Sequence, residues 1–118
     1  MASQAMAVDV PIDGSVVSGP FTISGWAIDR AATSGSGVDA VHVWAYPASG
    51  QAAIFLGAAA YGSARPDVGA VFGGQFTNSA FTLTAAALAP GRYQLVVFAR
   101  SRVTSTFDNA RVLNVNVH

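Results

Sequence analysis

The stretch LAPGRYQLVVFARS, residues 88–101, decides how this chain is read. Pro90 and Gly91 turn the backbone. Beyond them the residues alternate. Tyr93, Leu95, Val97 and Ala99 fall on one side, and Gln94, Val96, Phe98 and Arg100 on the other. A period of two belongs to an extended strand, whose successive side chains point to opposite faces. The first side is apolar and reads as core. The second mixes polar with aromatic residues, whereas a strand with one wet face should be polar there.

The same anomaly recurs upstream. In VHVWAYP, residues 41–47, Val41, Val43 and Ala45 share one side, and His42, Trp44 and Tyr46 share the other. Assigning Val41, Val43, Ala45, Tyr93, Leu95, Val97, Leu113 and Val115 to the core leaves an opposite face. That face carries His42, Trp44, Tyr46, Val96, Phe98, Arg100, Val112, Asn114 and Asn116, and Phe55 joins it because Leu56 suits the core better. A contiguous apolar patch of this kind marks an interaction surface.

The remaining chain reads as strands and turns. VDVPIDG starts the domain at residue 7, with Pro11 suited to an edge. Residues 1–6 read as cloning-derived or linker residues, and 7–118 as one domain. PFTISGWAID places Phe21, Ile23, Gly25 and Ala27 on one face and Thr22, Ser24, Trp26 and Ile28 on the other. Residues 30–37 are a loop by composition. QAAIFLGAAAY reads as one partner strand, since Gly57 and Gly62 bracket its alanines too closely for a helix. Residues 62–74 hold four glycines and a proline and read as a long loop. Short strands follow near Phe76, at 81–84, at 91–101 and in ARVLNVNV. The pattern predicts an all-β fold: an antiparallel β-sandwich of about seven to nine strands with Greek-key connections.

Composition removes several functions. All six basic residues are arginine, all six acids are aspartate, and the formal net charge is zero. A phosphate backbone finds no basic excess to grip, so no nucleic-acid partner is expected. No run of 18 apolar residues occurs, so no membrane span is expected. Cysteine is absent, which excludes disulfides and thiolate chemistry. The chain is 52% hydrophobic and only 10% charged, so part of its surface is expected to be covered.

LAPGRYQLVVFA resembles the corner before the sixth strand of immunoglobulin-like and fibronectin type III domains. The resemblance implies that Leu88 plugs the core, Pro90 and Gly91 make the turn, and the Tyr93 hydroxyl bonds back to upstream backbone. ISGWAID, SGVDAVHVWAYP, FLGAAAYGSARPDVGAVFG and LAPGRYQLVVFARS together are similar to a bacterial immunoglobulin-like module of secreted or cell-surface proteins. That likeness implies an immunoglobulin-like sandwich, an extracellular or cell-surface setting and no catalysis.

Catalytic chemistry is not legible. His118 is terminal, and His42 sits mid-strand beside Trp44, where a structural role is the simpler reading. No nucleophile elbow, zinc motif or phosphate loop occurs. Asp13, Asp29, Asp39, Asp67 and Asp108 fall at strand ends or in loops, but without calcium-loop spacing. No catalytic residue, metal site or cofactor is therefore expected. In YGSARPDV, Arg65 and Asp67 flank Pro66 and read as a loop brace over Tyr61, with a recognition loop as the sharper alternative.

The expectation is a non-catalytic accessory module, acting as spacer or protein-interaction domain through His42, Trp44, Tyr46, Phe55, Phe98 and Arg100. Its partner is a neighbouring domain of a parent protein or a second copy. The alternative is a carbohydrate-binding module stacking sugars on the same face. A third arrangement has the long loops folding back over that face.

Overall fold

In a computed structural model, which describes residues 4–107 and 109–118, the chain forms a two-sheet β-sandwich. The strands are β1 (Gln4–Val10), β2 (Ser15–Val17), β3 (Phe21–Asp29), β4 (Val38–Pro47), β5 (Ile54–Ala58), β6 (Ala60–Ala64), β7 (Asn78–Ala85), β8 (Gly91–Ser101) and β9 (Asn109–Val117). One sheet has the order β1-β3-β7-β6 and the other β2-β9-β8-β4-β5. Neighbours pair antiparallel except β2 with β9. The chain changes sheet after β1, β2, β3, β5 and β7, so each sheet is assembled from distant segments.

The core lies between the sheets. Val41, Val43 and Ala45 of β4, Leu95, Val97 and Ala99 of β8, and Leu113 and Val115 of β9 meet Phe21, Ile23, Ala27 and Phe81. These are the alternate positions of each strand, as period two requires. Burial of such branched and aromatic side chains, each worth about 1.5–3 kcal/mol, is the main force holding the sheets together.

Three sequence expectations are corrected. β1 begins at Gln4, and Met6 is 4% exposed within the core, so the domain reaches back past residue 7. An apolar side chain of the right parity on an edge strand is enough to draw residues 4–6 into the fold. QAAIFLGAAAY is two strands rather than one: β5 ends at Ala58, and β6 starts at Ala60 in the other sheet. The Ala59 amide donates to the Val41 carbonyl (2.8 Å) where the chain crosses. Residues 62–74 are not a loop. They hold the end of β6, the helix α1 (Pro66–Phe72) and the start of a 3-10 turn over Gly74–Phe76.

A seven-residue helix is unstable alone. Pro66 favours its first turn, where a missing N–H costs nothing. Packing supplies the rest. Val68 and Phe76 bury against Ile28, with Trp26 and Phe72 around them. The Trp26 and Phe72 rings lie 5.6 Å apart. Trp26 and Ile28 point away from the main core, as their parity demands, and α1 covers them.

At the corner before β8, the Tyr93 hydroxyl donates to the Ala89 carbonyl (2.7 Å), and Leu88 packs against the core. Gly91 follows the turn at φ 150°. On the opposite sheet Gly25 permits a close approach: a Cβ there would lie 2.0 Å from the Ala7 carbonyl oxygen. Two outcomes are expected. Gly25→Ala pushes β1 off β3 and lowers stability by about 1–3 kcal/mol, read as a fall in the urea midpoint at constant slope. Tyr93→Phe costs about 1 kcal/mol, at the scale of one net hydrogen bond, because Ala89 is exposed and water takes over its carbonyl.

Candidate functional site

The outer face of the five-stranded sheet can be followed row by row from its register. His42 pairs with Phe98, and Phe98 with Ala110. The next row runs Val112, Val96, Trp44 and Phe55 across β9, β8, β4 and β5. Beyond it lie Asn114, Gln94 and Tyr46, and then Asn116 and Arg92. The face therefore divides into an aromatic half and a polar half, with the boundary between Val96 and Gln94.

In the aromatic half, Trp44 lies 5.0 Å from the Phe55 ring, and His42 lies 5.4 Å from it edge-on. The register of β4 and β5 shifts between Val43 and Trp44, which lets Leu56 turn to the core while Phe55 stays outside. Phe107, from the turn between β8 and β9, sits 4.6 Å from His42. His42, Trp44, Phe98 and Phe107 line a shallow hollow of about 230 Å³. Phe55 and Val112 remain 47% and 58% exposed. Sequence reasoning missed Phe107, an aromatic among polar turn residues. The one available signal was that its turn joins two strands of this sheet.

Two expected members stand apart. Tyr46 lies in the polar half, beside Gln94 and Arg92. Arg100, beyond the His42 row, donates to Asp39 (2.6 Å) and so edges the face as an ion pair. The 62–74 segment covers the opposite sheet, and among the described loop residues it is Phe107 that packs onto the aromatic half.

What places Phe107 is a buried polar tie. Asp29 at the end of β3 is fully buried and accepts from Ser101 Oγ (2.5 Å) and the Ala31 amide (2.9 Å). Ser101 Oγ in turn accepts from the amides of Val103 and Thr104. A buried carboxylate is tolerated only with such partners, so it pins the turn to the sandwich. Asp108, considered above as an aspartate ligand, lies outside the described residues. Among the described residues no group of three His, Cys, Asp or Glu is arranged for a metal.

Arg65 and Asp67 form a fork: Nε and Nη2 donate to the two carboxylate oxygens at 3.0 and 2.9 Å. Nη1 reaches Asp9 of β1 (2.6 Å). The Arg65 hydrogen bonds hold the Asp67 carboxyl below the ordinary carboxylate range, and Asp67 with Asp9 raises the guanidinium. The trio ties α1 to β1, far from the aromatic face. Tyr61 does not lie beneath that brace. Its hydroxyl donates to the Ala27 carbonyl (2.6 Å), which can only accept, so Ser36 Oγ at 2.7 Å donates to it.

No family model matches the chain, and no curated protein matches it. Solved structures do. An engineered protein superposes with TM-score 0.64 at 16% identity, over 98% of this chain and 20% of its own. This chain thus spans about a fifth of that protein. CopC from Methylosinus trichosporium OB3b superposes with TM-score 0.54 at 13% identity, over 96% of this chain and 93% of its own. At these identities the likeness concerns the fold.

Burial pushes the Tyr61 hydroxyl up from 10.0 to about 12, the Ser36 bond opposing in part. Because the folded value lies above the unfolded one, this contribution to stability is complete below pH 10 and is lost as pH rises toward 12. Phenolate absorbance should show a late-ionising phase from Tyr61. Tyr61→Phe should remove that phase and flatten this part of the alkaline stability curve. A curve unchanged by the substitution would place the loss elsewhere.

Proposed function

We propose that this chain is a non-catalytic, immunoglobulin-like accessory module of a larger extracytoplasmic bacterial protein. It docks the aromatic half of its five-stranded sheet against a neighbouring domain. The observation carrying this reading is the unbroken row Val112–Val96–Trp44–Phe55, flanked by His42, Phe98 and Phe107. Four strands contribute apolar side chains to one surface, while the matching surface of the other sheet is capped by α1. Aromatic residues with a polar fringe match the composition of protein interfaces.

Other features lean the same way. Strand order, the Tyr93 corner and the parallel β2–β9 pair suit an immunoglobulin-like sandwich. The engineered protein carries a comparable fold within a chain about five times longer, as a module would sit. His42 lies against the Phe55 and Phe107 rings, which favours a packing role. The extracytoplasmic setting rests on the sequence resemblance. No helix among the described residues is long and apolar enough to cross a membrane. Trp44 has Phe55 packed against it, so it offers sugars less open ring than a flat platform would.

The double change Phe55→Ser, Val112→Ser tests the reading, because both residues are exposed and their loss should alter fold stability by at most about 0.5 kcal/mol. The isolated domain should sediment as a monomer and associate with the remainder of the parent chain supplied in trans. The double variant should melt normally yet lose that association. Self-association abolished by the same change would shift the occupant to a second copy. Association indifferent to it would remove the aromatic half as the docking surface.

A further inference from the structure

The polar half of the same sheet holds a larger depression, of about 530 Å³. Tyr46, Pro47, Arg92, Gln94, Asn114 and Asn116 form its working walls. It is lined by neither Trp44 nor Phe55, so it stands apart from the docking row.

Its chemistry is specific. Arg65 and Arg100 are paired with carboxylates, and Arg111 donates to the Met6 carbonyl. The Arg92 and Arg102 guanidiniums make no hydrogen bond or ion pair among the described residues, and of these two it is Arg92 that borders the depression. Asn114 is set in place by Asp13, whose Oδ1 accepts from both its backbone amide (2.6 Å) and its Nδ2 (3.3 Å). This leaves Asn114 Oδ1 uncommitted. The same bonds engage the Asp13 carboxylate, which is not among the walls. Gln94 and Asn114 lie opposite each other on β8 and β9, as do Arg92 and Asn116 one row on. Tyr46, 41% exposed, supplies an aromatic wall beside them.

We propose that this depression binds a uronate unit of an acidic polysaccharide. A pyranose presents a C–H face, vicinal hydroxyls that both donate and accept, and, in a uronate, one carboxylate. The Tyr46 ring matches the first. The side-chain amides of Gln94, Asn114 and Asn116 match the hydroxyls, since each amide offers donors and an acceptor. Arg92 takes the carboxylate through its planar fork, the geometry for which guanidinium surpasses ammonium. An open depression on a sheet surface admits one unit of a polymer, as an enclosed pocket would not. An acidic peptide would satisfy Arg92 but would leave the row of amides without matching hydroxyls.

The test is a nuclear magnetic resonance titration of the isolated domain with trigalacturonate, using neutral cellotriose and a triaspartate peptide as comparators. Trigalacturonate should shift the amide signals of Tyr46, Arg92, Gln94 and Asn116 saturably, and cellotriose should do so at least about tenfold more weakly. Arg92→Gln should weaken trigalacturonate binding about tenfold and erase its advantage over cellotriose. Tyr46→Ala should weaken both sugars, while Phe55→Ser should change neither. All three substituted positions are exposed, and unchanged melting is the check that the variants fold. Absence of saturable shifts, shifts centred on Phe98 and His42, or equal affinity for cellotriose would each overturn the proposal. So would triaspartate binding as tightly as the sugar acid.

Discussion

β4 and β8 pair antiparallel from Val38↔Ser101 to Pro47↔Tyr93, at the centre of the larger sheet. Once Val43 and Val97 enter the core opposite each other, strand geometry leaves no freedom: His42, Trp44, Val96 and Phe98 must face outward. A slip of β4 by one residue would bury His42 and Trp44 and expose Val41 and Val43. The Tyr93 corner stands at one end of this pairing, and the Ser101–Asp29 bond at the other. Core, outer face and both adjoining turns therefore depend on a single register.

The two sheets handle their outer faces differently. The smaller sheet presents Trp26 and Ile28, and the chain covers them itself with α1 and the turn that follows. The larger sheet presents more aromatic surface and, among the described loop residues, receives Phe107. Helix formation in so short a segment depends on the sheet beneath it, so the cap is a tertiary product. The uneven coverage gives the docking proposal its physical footing, because aromatic area left in water is stability not realised until something covers it.

Polar ties hold the loops that frame these faces. Tyr61 joins β6 to the end of β3 and to the 30–37 loop. Arg65 joins α1 to β1 through two aspartates. Asp29 and Ser101 anchor the turn that carries Phe107. With no cysteine to cross-link it, the domain relies on hydrogen bonds at points where its core does not reach.

By itself the sequence determined the strands with strict alternation, their buried sides and the aromatic character of the opposite side. Period two is a local property, readable from residues 41–47 and 91–101 without a partner strand. It also carried the Pro90–Gly91–Tyr93 corner, whose hydrogen bond spans four residues. Only tertiary structure decided what depends on distant contacts. QAAIFLGAAAY splits at Ala59 because the Val41 carbonyl and two separate sheets claim its halves. Residues 66–72 coil because Trp26 and Ile28 offer apolar surface to bury, an advantage that glycine-rich composition conceals. Met6 belongs to the core because β3 lies beside it. The division of the outer face into aromatic and polar halves likewise arose only when register set Gln94 and Asn114 beside Tyr46, and Trp44 beside Phe55.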